Sequence, residues 1–113
     1  MAIFVRPVEP ADLPRITDVL RASWGGTTVI ALGRGELIDA SALPGFVALA
    51  GADLAGLVTY TVAGDTVEIV TIDAVLPGQG VGSLLLDAVR RAATAGGAAR
   101  IVLVTTNDNT GAL

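Results

Sequence analysis

The 113-residue chain contains no cysteine, no histidine and no lysine. Without cysteine it can form no disulfide and no thiolate metal site, and it has no thiol nucleophile. Without histidine it lacks the commonest general base and the commonest metal ligand. These gaps exclude serine–histidine hydrolases, zinc enzymes and cysteine proteases as single-chain interpretations, and we expect no metal.

Charge is also scarce, since only 16% of the residues are charged and eleven acids against seven arginines leave a net charge of −4. An acidic chain without a basic run predicts no nucleic-acid binding, because phosphate neutralisation supplies most of that affinity. The N-terminus lacks the basic and apolar regions of a signal peptide. The apolar stretch 46–64 is interrupted by Gly51-Ala52-Asp53, which favours a buried hairpin over a membrane span. We therefore expect a cytoplasmic protein without membrane contact.

The hydrophobic pattern predicts one α+β domain over residues 1–113. Hydrophobic residues make up 52% of the chain, enough to build a single core at this length. Apolar spacing predicts a strand over 3–6, then a helix over about 9–22 with Leu13, Ile16 and Leu20 on its apolar face, and a short helical or irregular segment over 36–43. It next predicts strands over 46–50, 54–62 and 66–72. A second helix is predicted over 82–95, with Leu84 and Leu85 on its apolar face, and a last strand over 100–106. Short turns make the middle three strands an antiparallel meander, whereas the last strand follows a parallel crossover. The apolar run 101–104 is typical of a strand covered on both faces.

A glycine cluster, Gly78-x-Gly80-x-Gly82, lies between the third strand of the meander and the second long helix. Glycines let the backbone approach a ligand, and the amides at a helix start attract anions. A P-loop is excluded because it requires lysine, and Ser83 stands where the dinucleotide fingerprint requires glycine. A plain glycine-rich turn is the alternative.

In this order of elements the chain resembles the GCN5-related N-acetyltransferase (GNAT) superfamily. The resemblance to its first strand and helix lies in Val5-Arg6-Pro7, in Asp12-Leu13 and in the helix with Ile16 and Leu20. Residues 72–86 resemble its acetyl-CoA motif R/Q-x-x-G-x-G/A, with Gly80 and Gly82 at the glycine positions. Asn109 begins a segment that resembles the N-x-x-A of its fourth helix. Pro77 departs from the pattern, because it occupies the Arg/Gln position and has no side-chain donor.

The resemblance implies a mixed, mostly antiparallel sheet with helices on both faces, and acetyl-CoA as acetyl donor. Pyrophosphate would then rest on backbone amides, and the bulged strand before the loop would pair with the pantetheine arm through its main chain. By position, the implied cofactor-binding residues are Ile72, Ala74, Gln79, Gly80, Val81, Gly82, Ser83 and Asn109.

The resemblance also implies transfer of the acetyl group to a primary amine of a small molecule or peptide, by direct attack with a carboxylate or water base. Glu68 is the best candidate for this base, because its apolar strand would raise the pKa of its carboxyl group. Period-two alternation predicts that Glu68 shares a face with Val70 and Ile72. Asp73 is the second candidate, and an ordinary exposed strand carboxylate is the alternative for Glu68.

The family's general acid is commonly a tyrosine beyond the position where this sequence stops, at Leu113. That gap and Pro77 motivate the alternative function, a catalytically inactive acyl-CoA-binding or regulatory module. Tyr60 and Trp24 are expected to pack in the core. The family fold also continues beyond its fifth strand, so we expect either further residues after 113 or a second subunit, as in a homodimer, to cover the last strand.

Overall fold

The computed structural model describes residues 2–31, 36–76 and 78–103. A five-stranded sheet with the order β1-β4-β5-β6-β7 forms the centre, and β2 and β3 form a separate hairpin. The elements are β1 (Phe4–Pro7), α1 (Leu13–Ser23), β2 (Val29–Ala31), β3 (Leu37–Asp39), β4 (Gly45–Ala50), β5 (Asp53–Ala63), β6 (Thr66–Ala74), α2 (Val81–Ala95) and β7 (Arg100–Leu103), with 3-10 turns at Pro10–Asp12 and Ala40–Ala42. The predicted α+β class is confirmed.

The meander forms as predicted, because glycines in left-handed conformations close both of its hairpins. Gly51 (φ 62°) joins β4 to β5, and Gly64 (φ 62°) joins β5 to β6. All pairs from β1 to β6 are antiparallel, and β7 returns parallel to β6 after α2. The predicted crossover is therefore confirmed.

One helix covers each face of the sheet, and two apolar clusters result. The α2 face contains Val58, Ile69, Ile72 and Leu85, and the α1 face contains Ile16, Leu20, Val47, Leu57 and Val70. Tyr60 stacks on Phe46 with ring centroids 6.2 Å apart, and Trp24 packs against the α1-face cluster, as predicted for both. No described helix is long and apolar enough to cross a membrane.

A partly buried ion pair fixes the start of α1 to β1. Arg6 donates two hydrogen bonds to the Asp12 carboxylate, at 2.7 and 2.8 Å, and the Glu9 amide donates a third at 2.8 Å. These contacts, with the Arg6 side chain first among them, lower the pKa of Asp12 to about 2. The network therefore sets the angle at which the chain enters α1.

Four details differ from the sequence prediction. The segment predicted as helical or irregular is instead strand β3 followed by a 3-10 turn, and β3 pairs with β2. Leu13 and Leu84, placed on the apolar helix faces, are 48% and 39% exposed, because each lies at the end of its helix. All four residues of β7 are exposed, so its described part is not covered on both faces.

Candidate functional site

A row of buried polar side chains crosses the α1 face of the sheet. Three consecutive cross-strand pairs, Thr61–Glu68, Thr59–Thr71 and Leu57–Asp73, lie on this face. Four of these residues, Thr59, Glu68, Thr71 and Asp73, are the buried polar residues of the sheet within the described ranges. Because burying polar groups is costly, such a row within an apolar face indicates a functional surface.

A bulge at Val70 determines which side chains join this row. Thr59 pairs with Thr71 and Tyr60 pairs with Ile69, so Val70 is an extra residue in β6. The extra residue reverses the alternation of the strand: Glu68 shares the α1 face with Val70, but Ile72 packs on the α2 face. The prediction that Glu68 and Ile72 share a face is therefore wrong.

Glu68 lies at one end of the polar row and is 9% exposed. The Thr61 hydroxyl donates a hydrogen bond of 3.1 Å to Glu68 Oε1. In the next pair of the row, the hydroxyls of Thr59 and Thr71 are 2.6 Å apart. Glu68 is thus a buried carboxylate held by a neighbouring strand, which is what a proton acceptor in a desolvated site needs.

Asp73 lies at the other end of the row, where β6 passes the last turn of α1. Its Oδ1 accepts a 2.6 Å hydrogen bond from the hydroxyl of Ser23, the final residue of α1. Burial raises the pKa of the Asp73 carboxyl group, and the Ser23 hydrogen bond opposes that change. Ser23 and the three threonines were not predicted, because the residues that meet Glu68, Thr71 and Asp73 depend on the register of β6 on either side of the bulge.

Beyond the bulge, one edge of β6 has no partner among the described strands. Strand β7 pairs only with Thr66–Ile69. Val75 donates its amide to the Ala55 carbonyl on β5, at 2.7 Å. Main-chain groups alternate in direction along a strand, so those of Ile72 and Ala74 point toward this open edge. The edge can therefore accept an extended, amide-bearing ligand.

The glycine loop leads from this edge into α2. Gly78 (φ 77°) and Gly80 (φ 69°) take left-handed conformations, and a Cβ atom at either position would meet no described atom within 4 Å. Gly80 is the N-cap of α2, and the first turn carries no acidic residue. The amides of Val81, Gly82 and Ser83 thus lie at the start of a 15-residue helix, where unpaired N–H groups and the helix dipole favour an anion.

Close packing holds the start of α2 against β5. A Cβ atom added to Gly56 would collide with Val81 Cγ1, and it would lie 2.8 Å from the Asp73 carbonyl oxygen. The Ala55 carbonyl accepts the amides of both Val75 and Leu76, at 2.7 and 3.1 Å. These contacts fix the helix start beside the strand edge that leads to it.

The remaining predicted site residues are distributed as follows. Gln79 is exposed on the loop and Ser83 on the first turn of α2. The Val81 side chain is buried between α2 and the sheet. Asn109 and Pro77 lie outside the described residues. The structure thus brings Ile72, Ala74 and residues 79–83 to one edge, with Glu68 on the adjoining face. Among the described residues no three histidine, cysteine or acidic side chains form a metal-binding group.

Solved acetyltransferases share this fold. A crystal structure of nourseothricin acetyltransferase is 26% identical, with a TM-score of 0.69 over 99% of this chain and 78% of its own. The ribosomal-protein-alanine N-acetyltransferase of Brucella melitensis biovar Abortus 2308 gives a TM-score of 0.75 over 98% of this chain and 86% of its own, at 16% identity. The mixed sheet crossed by a glycine-capped helix is thus an acetyltransferase fold.

The sequence places the chain within one family. The profile of the Acetyltransferase (GNAT) family matches residues 13–113, and the chain therefore belongs to this family. It is also 34% identical over 99 residues to the protein YdhI of Bacillus subtilis (strain 168). That match covers 87% of this chain, and the chain spans 61% of the length of YdhI.

Proposed function

We propose that the protein is an acetyl-CoA-dependent N-acetyltransferase that acts on a primary amine. The observation that carries this proposal is the junction of three features: an anion-accepting helix start, an open strand edge and a buried carboxylate row. Acetyl-CoA has a pyrophosphate, an amide-bearing arm and a reactive thioester, and these three parts follow one another in the same order as the three features. Family membership supports the same activity, and a CoA complex of the aminoglycoside N-acetyltransferase AAC(6')-Iy has this fold at 20% identity.

The backbone would supply most of the donor binding. Pyrophosphate would accept hydrogen bonds from the amides of residues 79–83, with the Gln79 side chain as an adjustable donor. The main-chain groups of Ile72 and Ala74 would hold the pantetheine arm by strand-like pairing. This arrangement does not require a charged side chain in the loop, and it therefore accommodates Pro77.

Glu68 would accept the proton that the amine must lose. When bound, acetyl-CoA would supply an activated acetyl group, whose C–S bond would break as the amine nitrogen forms the new C–N bond and CoA leaves as the thiolate. Glu68 would take the ammonium proton, directly or through a water molecule, while Thr61 holds Oε1 in place. General-base assistance of this kind contributes about 10²–10⁴-fold in rate.

Acetyl transfer to a panel of amines tests the proposal. The wild-type chain should transfer acetyl groups, and Glu68→Gln should lose about 10²-fold or more in kcat while its affinity for acetyl-CoA is kept. Glu9→Gln is the matched control, because Glu9 is exposed at the turn before α1 and far along the chain from the row. Equal loss in both variants would refute the role of Glu68.

The second candidate is a catalytically inactive acyl-CoA-binding or regulatory module, which Pro77 at the usual Arg/Gln position favours. Saturable acetyl-CoA binding without turnover on any amine, unchanged by Glu68→Gln, would decide for it. The cytoplasmic location and the homodimer remain predictions from the sequence.

A further inference from the structure

Two buried hydroxyl groups meet on the α1 face of the sheet, directly after the bulge in β6. The Oγ1 atoms of Thr59 and Thr71 are 2.6 Å apart, so one hydroxyl donates a hydrogen bond to the other. The two residues are only 1% and 2% exposed. Because a substrate cannot reach them, any role in the reaction must act through the strands that carry them.

This hydroxyl pair closes the bulge on its C-terminal side. Tyr60 pairs with Ile69 before the bulge and Thr59 pairs with Thr71 after it, so Val70 lies between two consecutive cross-strand pairs. The hydrogen bond forms only when Thr59 and Thr71 are opposite each other, since a hydroxyl pair requires a distance below about 3 Å. It therefore holds the extra residue at one position in the strand.

The next contact that fixes β6 lies two residues farther along the strand. Asp73 pairs with Leu57 and accepts a 2.6 Å hydrogen bond from Ser23 at the end of α1. A bulge displaced from Val70 to Ile72 would leave this contact intact. The contacts of Asp73 therefore fix the end of the strand but not the position of the bulge that precedes it.

The hydroxyl pair distinguishes these two positions of the bulge. If Ile72 were the extra residue, Thr71 would lie opposite Val58, whose side chain belongs to the apolar cluster on the α2 face. Thr59 would then lie opposite Val70, so neither hydroxyl would keep its present partner. Because an unpaired buried hydroxyl is costly, the hydrogen bond favours the bulge at Val70.

The position of the bulge determines which main-chain groups the open edge of β6 presents. With the bulge at Val70, the main-chain groups of Ile72 point toward that edge. With the bulge at Ile72, the regular alternation would be broken at this residue, and Ala74 alone would keep its direction. A displaced bulge would thus remove one of the two residues proposed to pair with the pantetheine arm.

We propose that Thr59 and Thr71 are positioning residues whose hydroxyl pair keeps the main chain of Ile72 at the open edge for the donor arm. They act through the strand and do not touch the donor. The proposal rests on the proposed function for the identity of the ligand, acetyl-CoA. The position of the bulge itself can be measured without any ligand.

NMR spectroscopy of the ligand-free 113-residue protein measures the position of the bulge. The Hα atoms of Val58 and Ile72 should be in contact in the wild type, since this is a cross-strand pair whose main-chain groups point away from each other. Replacing both threonines, by Thr59→Val with Thr71→Val, removes the pair without leaving an unpaired hydroxyl. The Hα contact of Val58 should then pass, wholly or in part, to residue 71.

Calorimetric titration of the same proteins measures the consequence for the donor. Acetyl-CoA affinity should fall about tenfold in the double variant, as expected when the hydrogen bonds of one residue's main chain are lost. Thr59→Ser with Thr71→Ser keeps both hydroxyls and should retain the Val58–Ile72 contact and the affinity. Thr66→Val is the matched control, because Thr66 lies on β6 before the bulge and its hydroxyl donates to Asp65 at the surface, at 3.3 Å. It should leave both readouts unchanged.

Thr71→Val alone is the second variant in case the double variant fails to fold. It makes position 71 apolar and should also displace the bulge. A folded variant of either kind that keeps the Val58–Ile72 contact would overturn the proposal, and so would a displaced bulge with unchanged acetyl-CoA affinity. A displaced bulge in the variants of a chain whose wild type binds no acetyl-CoA would uphold the role of the hydroxyl pair in the strand and refute the proposed function.

Discussion

Replacing Gly56 by alanine perturbs the contact that holds the first turn of α2 beside the open edge of β6. The added Cβ atom would collide with Val81 Cγ1 and would lie 2.8 Å from the Asp73 carbonyl oxygen and 3.1 Å from Leu85 Cδ1. One of these three neighbours is backbone in the middle of the sheet, which cannot yield. The other two neighbours, Val81 and Leu85, belong to α2, so relief of their contacts moves the helix start away from β5.

The expected cost follows from overpacking. Inserting a methyl group into a well-packed core costs about 1–3 kcal/mol, and the lower chain entropy of alanine returns about 0.4–1 kcal/mol. The net loss of about 1–2 kcal/mol should lower the midpoint of thermal unfolding by about 4–8 °C in a domain of this size. Because the loop amides move with the helix, acetyl-CoA affinity should fall by more than the stability loss alone explains.

Thermal unfolding and calorimetric titration with acetyl-CoA measure the two effects. Gly96→Ala is the matched control, because the nearest neighbour of a Cβ atom there would be the Ala92 carbonyl oxygen at 3.5 Å, an ordinary contact distance. It should leave the midpoint and the affinity nearly unchanged. A Gly56→Ala protein as stable as wild type, or one that is destabilised with unchanged affinity, would refute the proposed coupling between this contact and the loop.

Three further predictions concern Asp12, Asp73 and Gly80. The folded state lowers the pKa of Asp12 to about 2, below its usual value of about 3.8. The ionised carboxylate therefore stabilises the fold above about pH 4, and this stabilisation is lost as the pH falls toward 2. Asp12→Asn should lower the free energy of unfolding, measured with urea, by about 1–2 kcal/mol at pH 7. It should also weaken the fall of that free energy between pH 4 and pH 2. An unchanged pH dependence in this range would contradict the network with Arg6. The raised pKa of Asp73 has the opposite effect on stability, because the fold loses stability as the pH rises through the folded-state pKa and the buried carboxyl group ionises. Asp73→Asn should therefore unfold at a higher temperature than wild type at pH 7. A lower midpoint would show a purely structural role. Gly80→Ala forces a side chain into φ 69° and should cost about 1 kcal/mol in urea unfolding, whereas equal stability would show that the loop can rearrange.

The parts of the fold that depend on local pattern could be predicted from the sequence. The period of α2, the turns at Gly51 and Gly64, and the crossover to β7 are all visible in the residues themselves. The β2–β3 hairpin could not be predicted, because strands of three residues are too short for alternation to be distinguished from other patterns.

The site was predictable only in part, for a different reason. The glycine loop and the carboxylate Glu68 stand out in the sequence, but the bulge at Val70 has no composition signal. One inserted residue reverses the face of every residue that follows it in β6, so Ile72 and Asp73 exchange sides. The polar row and the contact from Ser23 therefore become apparent only once the register between β5 and β6 is known.

Calorimetric titration of the wild-type chain with acetyl-CoA tests the central claim most directly. We expect saturable heat with one binding site per chain, and weaker binding when Gly56→Ala displaces the start of α2. An absence of heat up to high-micromolar acetyl-CoA would contradict the assignment of the glycine loop and the open edge of β6 as the donor site.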